Sequence, residues 1–393
     1  MPFMEMTVVD NRKEFILHWK ADQQSFSSLC QDFGISRPTG YKWVERYKSG
    51  GMENLQDRDP SPHEIPNKTP PKVEQAIIEI RKKHKLFGPK KIRKLMETEG
   101  VYSQIPAHST ISLILKRNGL IKERKKRKHV EPQEPIFDPD SCNQVWSADY
   151  KGKFKMGNGR YCYPLTICDS FSRFILAIKG LHNPNFEEKK PVFIDVFKDY
   201  GLPLQLHTDN GSPFASIRSL GRITGFAVWL MELGIQPVYS DPASPQQNGR
   251  HERMHRELKA SACNHPGKNL QAQQRKMNEF MREYNEVRPH EALGMEVPKT
   301  VHESSNRSYQ KEILRWEYPA EFLVKHVCGN GNVRSGKNRW IPISTALSNR
   351  NIGLEELGEG IFRIWFRDFI LGYLDESDLR VYDIHEFQYV PKL

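Results

Sequence analysis

The chain has 393 residues, a formal net charge of +11, 27% charged residues and 37% hydrophobic residues. This length predicts roughly two to four domains rather than one. The sequence contains no apolar run that could span a bilayer, no signal-peptide pattern and no Cys-x-x-Cys pair. These absences argue against a membrane-spanning protein, a secreted disulfide framework and a zinc ribbon. We therefore expect a soluble cytoplasmic protein with reduced thiols.

The positive charge is concentrated at the front of the chain. Residues 1–133 hold 26 Lys and Arg against 16 Asp and Glu, whereas residues 134–393 hold 33 against 32. A basic segment followed by a near-neutral remainder is typical of a protein whose front part binds a polyanion such as nucleic acid.

Residues 10–50 predict three short helices. Apolar residues recur with helical spacing, and the turn Gly34-Ile35-Ser36 offers Ser36 as the N-cap of the third helix. A short helix, a Gly-containing turn and a basic helix together predict a helix-turn-helix unit over residues 1–56. An ordinary three-helix bundle is the alternative. The recognition helix would contact DNA through Arg37, Tyr41, Lys42 and Arg46.

A second helical set follows a Pro/Gly-rich connector over residues 51–71. Three further helices are predicted between Lys72 and Gly119, and they also read as a helix-turn-helix. With the basic run over 122–129, this unit occupies residues 68–130. The run holds six Lys and Arg, and it is either a solvated linker or an arm along DNA phosphates. The predicted DNA contacts of this unit are Lys90, Lys91, Ser109 and Thr110.

From about residue 143 the pattern changes to strands and then to alternating helices and strands. This order predicts an α/β sheet, and we assign the domain to residues 135–302. The tail over residues 312–390 returns to short strands and turns, from which we predict a small β-barrel.

Three acidic residues stand where chemistry is expected. Asp149 lies inside the first strand of the sheet, where an Asp is disfavoured and therefore suggests a site. Asp209 follows a later strand, a position at which α/β sheets place ligand groups. Glu252 lies on a helix that starts near Asn248. Carboxylates from three elements can hold Mg²⁺, and two such ions about 3.5–4 Å apart can drive phosphodiester displacement.

These residues resemble a known family. The segments VWSADY, HTDNGSPF and NGRHERMHRELK, around Asp149, Asp209 and Glu252, resemble the D, D, E motifs of retroviral integrases and bacterial insertion-sequence transposases. DSFSRFIL (169–176) and YNEVRPHEALG (284–294) match the same pattern. Asp209 and Glu252 are 43 positions apart, more than in retroviral integrases. In place of a Cys/His zinc module, the front carries helix-turn-helix units, which favours a bacterial mobile element.

The resemblance implies a multidomain protein with all-α helix-turn-helix domains, a central RNase-H-like integrase core and DNA transposition activity. Asp149, Asp209 and Glu252 would be catalytic and would hold two Mg²⁺ ions, for which Mn²⁺ would substitute. The partners would be double-stranded DNA, namely the terminal inverted repeats of the element and the target, and a homo-oligomer would join two ends near the nucleoid. A decayed transposase that acts as a repressor is a second hypothesis.

The stretch from His251 to His255 reads H-E-x-x-H, the zinc-metalloprotease pattern. No third ligand is marked downstream, and the helix has only a narrow apolar seam. Helical spacing places Glu252, Lys259 and either His255 or Arg256 on one face. We therefore interpret the two His as flanking residues, and Arg256 and Lys259 as contacts to DNA phosphates beside Glu252. The alternative is an exposed helix held by surface salt bridges, with a purely structural role.

Overall fold

A computed structural model of the chain describes residues 7–57, 68–121, 137–209, 214, 220–241, 249–335 and 339–384. The chain divides into two compact units, Met1–Thr69 and Pro70–Leu393. The predicted basic run over 122–129 and the loop over 210–213 lie outside the described residues. No described helix has both the length and the apolar character needed to cross a membrane.

The first unit is the predicted three-helix arrangement. Its helices are α1 (Val8–Ala21), α2 (Phe26–Asp32) and α3 (Arg37–Gly50). Ser36 caps α3 as predicted, since its side chain accepts a hydrogen bond from the amide of Thr39. Phe15, Ile16 and Val44 are buried in the shared core. The predicted contact residues Arg37, Tyr41 and Lys42 are exposed on α3, and Arg46 is half-buried.

A second trio of helices opens the larger unit, as the sequence predicts. It consists of α4 (Pro71–Lys83), α5 (Pro89–Glu99) and α6 (His108–Arg117). Gly100 ends α5 in the left-handed conformation, at φ 65°, where a residue without a Cβ is least strained. Ile77, Ile92 and Ile111 form the centre of its core.

The central domain is built on one mixed sheet. Its strands are β1 (Val145–Tyr150), β2 (Phe154–Lys155), β3 (Tyr161–Asp169), β4 (Ile175–Leu181), β5 (Gln205–Thr208) and β6 (Gln236–Tyr239). β1 pairs antiparallel with β3, which pairs antiparallel with β4, whereas β5 runs parallel to both β1 and β6. This is the RNase-H-like arrangement that the resemblance implies, and it makes β1 the central strand.

Helices cover both faces of this sheet. They are α7 (Phe186–Tyr200), α8 (Gly225–Glu232), α9 (Gly249–Leu258), α10 (Leu270–Arg282) and the short α11 (Pro298–Val301). Phe193 and Phe197 of α7 pack with Trp146 of β1 in one core, while Met254 of α9 and Met277 of α10 belong to the other. Because both faces are covered, the first four residues of β1 are all buried, so its burial does not alternate.

The C-terminal domain is a β-domain, but the predicted closed barrel is not confirmed. Its strands are β7 (Leu323–His326), β8 (Asn332–Ser335), β9 (Arg339–Pro342), β10 (Asn351–Gly358), β11 (Ile361–Phe366), β12 (Phe369–Asp375) and β13 (Arg380–Asp383). Five strands form a sheet in the order β13-β12-β11-β10-β7, and β8 and β9 form a separate hairpin. In the described residues the two edge strands do not pair with each other. The sheet instead shares one apolar core with Ala227 and Val228 of α8 and with Val333 of β8 and Ile341 of β9.

Candidate active site

The carboxylate of Asp149 lies at the centre of the site. It belongs to β1, and its side chain is 21% exposed. Burial is the main cause that raises the pKa of Asp149 to about 7, and the nearby carboxylates of Asp209 and Glu252 raise it further. Both of these carboxylates thus lie close enough to Asp149 to affect its charge. The structure brings together the three acids that the sequence predicts.

Asp209 and Glu252 reach this point from different elements. Asp209 directly follows β5, the strand beside β1, and it is exposed. Glu252 lies in the first turn of α9, and it is also exposed. Parallel neighbouring strands end at the same edge of a sheet, which explains why residues 60 positions apart in the chain, Asp149 and Asp209, meet there.

Helix α9 is divided into an exposed and a buried face. Its buried residues are His251, Met254, His255 and Leu258. Glu252 and Arg256 are exposed, and Lys259, directly after the helix, is exposed as well. Of the two residues that helical spacing left open beside Glu252, Arg256 therefore lies on the outer face and His255 lies in the core.

The two His of the H-E-x-x-H pattern are bonded to the sheet beneath Asp149. His251 Nδ1 lies 2.8 Å from the hydroxyl oxygen of Ser147, and its Nε2 lies 2.6 Å from that of Thr166. His255 Nε2 lies 2.7 Å from the same Thr166 oxygen. The Thr166 hydroxyl in turn donates to the carbonyl oxygen of Asp149 at 2.9 Å. Sequence reasoning missed Ser147 and Thr166, because strand pairing alone brings them to the helix.

Burial keeps both imidazoles neutral. It lowers the pKa of His251 to about 3, with a smaller contribution from His207, and it also lowers the pKa of His255. His255 Nδ1 lies 3.5 Å from a carboxylate oxygen of Asp149, but a neutral ring makes no ion pair there.

The donor set fits a hard divalent cation better than zinc. Ligand atoms of Asp149, His251 and His255 do lie within 4.8 Å of one another. However, both ring nitrogens of His251 already have hydrogen-bond partners, whereas a zincin needs both His free to bind metal. The alternative donors are the carboxylates of Asp149, Asp209 and Glu252, and oxygen donors of this kind are the ligands that Mg²⁺ takes.

Lys189 is a further charged residue near the site that sequence reasoning did not single out. It lies on α7 and is fully buried, with Nζ 4.5 Å and 4.3 Å from the ring centres of Phe214 and Phe226. Burial lowers its pKa to about 7, although the Asp209 carboxylate opposes this shift. Lys189 and Asp209 therefore lie close enough for each to affect the charge of the other.

The remaining predicted DNA contacts lie in different surroundings. Ser109 is exposed and Thr110 is half-buried at the start of α6. Lys90 is exposed on α5 but forms an ion pair with Glu291 of the core at 2.8 Å. Lys91 is half-buried, and burial together with Arg288 lowers its pKa to about 8. These two lysines thus lie where the second helix-turn-helix meets the core.

Comparisons with known families match the same regions. Residues 139–245 and 233–298 match models of the integrase core domain, residues 11–63 match a helix-turn-helix domain, and residues 39–115 match a homeodomain-like domain. The matched segments therefore contain Asp149, Asp209 and Glu252 as well as both helical units.

Two relatives come from bacterial insertion elements. An uncharacterized 39.2 kDa protein of insertion element IS476 from Xanthomonas euvesicatoria is 25% identical over 252 residues, which cover 63% of this chain and 68% of that protein. An uncharacterized 31.7 kDa protein of insertion element IS407 from Burkholderia multivorans is 26% identical over 231 residues, or 56% of this chain and 77% of that protein.

Among solved structures, the chain is similar to the HTLV-2 integrase catalytic core domain in complex with magnesium. The identity is 16%, the TM-score is 0.31, and the match covers 42% of this chain and 99% of that one. This superposition is loose, so the assignment depends on the family models and on the insertion-element relatives. On those grounds, the chain carries helix-turn-helix domains in front of an integrase core domain, and it is related to proteins of bacterial insertion elements.

Proposed function

We propose that this protein binds the ends of its mobile element, cleaves phosphodiester bonds there and joins the resulting 3′-OH ends to target DNA. The observation that carries the proposal is the placement of the three acids: Asp149 lies on β1, Asp209 directly follows the neighbouring parallel strand β5, and Glu252 lies in the first turn of α9, which is bonded to β1 through His251 and Ser147. Carboxylates held close together cost free energy unless a cation or proton neutralises them. A cation that acts on DNA phosphates would neutralise them.

The three carboxylates would hold two Mg²⁺ ions, and Mn²⁺ would substitute for them. When bound, the ions would activate the attacking oxygen and stabilise the leaving oxygen of an in-line displacement. The chain itself would supply the ligands from β1, β5 and α9, and it would hold the DNA phosphate beside Glu252 through Arg256 and Lys259. Cleavage and joining are both displacements at phosphorus, so one site can serve both without a covalent protein–DNA intermediate.

DNA recognition would belong to the front of the chain. The exposed side chains Arg37, Tyr41 and Lys42 of α3 would reach base edges or phosphates of the terminal inverted repeats. Two element ends must be joined together, so the active form would be a homo-oligomer assembled on DNA. Such a protein would work at the nucleoid, in the cytoplasm.

Strand transfer by the purified full-length protein tests this proposal. The substrate is DNA that carries the ends of the element around the gene, and the reaction is run with Mg²⁺ or Mn²⁺. We expect Asp149→Asn, Asp209→Asn and Glu252→Gln each to reduce strand transfer at least about a thousandfold, because cation binding contributes several kcal/mol. All three should bind end DNA normally.

Glu279→Gln is the matched control, since it removes an exposed carboxylate from α10. It should leave strand transfer unchanged. Native activity in any of the three carboxylate variants would refute the assignment of that residue. DNA binding without any strand transfer by the native protein would instead favour a repressor.

A further inference from the structure

The contacts of the two H-E-x-x-H histidines constrain which ring nitrogen donates to Thr166. A threonine hydroxyl has one hydrogen to donate and two lone pairs to accept with. Thr166 Oγ1 is surrounded by the carbonyl oxygen of Asp149 at 2.9 Å, His251 Nε2 at 2.6 Å and His255 Nε2 at 2.7 Å. A carbonyl oxygen can only accept, so the single hydroxyl hydrogen is donated to Asp149.

Both imidazoles must then donate to Thr166 from Nε2. With its proton on Nε2, His251 accepts at Nδ1 from the Ser147 hydroxyl, at 2.8 Å. His255 donates from Nε2 in the same way, and its Nδ1 lies 3.5 Å from a carboxylate oxygen of Asp149. All four hydrogen bonds are satisfied by this one assignment, and they connect α9 to both β1 and β3.

These hydrogen bonds connect the elements that carry two of the three proposed ligands, Asp149 and Glu252. Ser147 and Asp149 belong to β1, and Thr166 lies directly opposite Asp149 on β3. Glu252 is the chain neighbour of His251 and lies one helical turn before His255. His251 and His255, which lie on either side of Glu252 in the helix, are bonded to the strands. The helix therefore cannot slide or rotate without breaking buried hydrogen bonds.

We propose that His251 and His255 are positioning residues, which act through Thr166 to fix the separation of the Asp149 and Glu252 carboxylates. The inference rests on the proposed function, because the separation matters only if the carboxylates bind cations together. The two His of the H-E-x-x-H motif would therefore not bind zinc. They would hold the proposed carboxylate ligands of a different metal site in place.

The first test reads the tautomers directly. In the full-length protein labelled with ¹⁵N-histidine, we expect both rings to carry a proton on Nε2. The signals are assigned with His251→Gln and His255→Gln variants. The absence of a proton from Nε2 of either ring would overturn the proposed network.

The second test separates positioning from mere stability. Thr166→Val keeps the shape of the side chain but removes the hydroxyl, and Thr166→Ser keeps the hydroxyl. Mn²⁺ alone is titrated into each full-length variant, and free Mn²⁺ is measured by EPR. We expect Thr166→Val to weaken Mn²⁺ binding about 10–100-fold, as loss of a ligand-orienting partner commonly does, and Thr166→Ser to stay within about threefold of native.

If Thr166→Val does not fold, two substitutions of His255, to Gln and to Asn, provide a second pair of variants. Gln places an amide N–H near the position of Nε2 and keeps the donor to Thr166, whereas Asn places its amide near Nδ1 and loses that donor. We expect His255→Gln to bind Mn²⁺ more tightly than His255→Asn. Equal Mn²⁺ affinities within the folded pair would contradict the proposal, as would a folded Thr166→Val variant with native affinity.

Two carboxylate variants distinguish failure of this inference from failure of the proposed function. Asp149→Asn and Glu252→Gln should abolish Mn²⁺ binding at the site. Native Mn²⁺ affinity in these variants would refute the metal site itself. Loss of binding in them, together with native binding in Thr166→Val, would refute only the positioning role.

Discussion

The ammonium of Lys90 lies 2.8 Å from a carboxylate oxygen of Glu291, although 201 positions separate the two residues. Lys94 of the same helix likewise pairs with Glu296 at 2.8 Å, and His84 lies 2.7 Å from Glu283. These contacts attach the second helix-turn-helix to the core. A predicted phosphate contact therefore has an acidic partner within the chain, with which DNA would compete.

We expect Glu291→Gln to strengthen binding of end DNA up to about fivefold at low salt, because an exposed ion pair is worth roughly 0–1 kcal/mol. Lys90→Ala should weaken binding and reduce the slope of log affinity against log salt by about one, as loss of one phosphate contact does. Fluorescence anisotropy over a salt series measures both. If Lys90→Ala leaves affinity and slope unchanged, Lys90 serves only the contact with the core.

Arg256 and Lys259 follow Glu252 on the exposed side of its helix. We expect the double change to Ala to lower the salt slope of DNA binding by about two, because two phosphate contacts would be lost. Strand transfer should fall by about tenfold or more. Arg275→Ala, which removes an exposed charge from α10, is the control. Equal effects of the control and the double variant would indicate a general charge effect.

Asn285, in the YNEVRPHEALG segment, is bonded to the backbone of β4. Its buried side chain accepts from the amide of Ile175 and donates to the Ile175 carbonyl, both at 2.9 Å. We expect Asn285→Leu to lower the free energy of unfolding by roughly 2–5 kcal/mol, because two buried backbone groups lose a partner. Urea denaturation measures the change. Asn278→Leu, at an exposed position, should change stability by less than about 0.5 kcal/mol, and a similar loss in both variants would count against this role.

The buried ring of His290 predicts acid sensitivity. Burial, with Arg288 and Lys91 nearby, lowers its pKa to about 3, whereas an unfolded His has a pKa of about 6.5. Between these pH values the unfolded state binds a proton that the folded state does not, so stability falls as the pH falls from about 6.5 towards 3.

In the native protein Arg288 Nη1 lies 3.2 Å from Nε2 of His290. The Gln side chain of His290→Gln keeps an acceptor for Arg288 but cannot titrate. Relative to its own stability at pH 7, we expect this variant to lose about 2 kcal/mol less than the native protein by pH 5. Urea midpoints at several pH values measure the difference. His265→Gln, at an exposed position, should follow the native curve. Parallel curves for His290→Gln and the native protein would disprove the prediction.

The helices and most core strands could be predicted because their signals are local. Ser36 and Gly100 mark helix ends by side-chain capping and by a left-handed backbone, respectively. Asp149 stood out because a charged residue is unusual inside a strand. The tail was harder to predict, since alternating strands such as β11 and β12 indicate a sheet without indicating how its edges end. In the part of the chain that the structure describes, α8 and the β8–β9 pair pack against that sheet, and its two edge strands do not pair with each other.

The sequence by itself singled out the residues that we propose bear the chemistry, namely three carboxylates that each lie in a motif of their own, and it showed that the first third of the chain is basic. Only the tertiary structure decided what surrounds them. Ser147 and Thr166 carry no local signal, and they meet His251 and His255 because strand pairing places β3 beside β1 and packing lays α9 across both. The choice between His255 and Arg256 on the Glu252 face was decided in the same way. Periodicity defines a helix face only to within a residue, whereas burial against a particular strand selects one side chain.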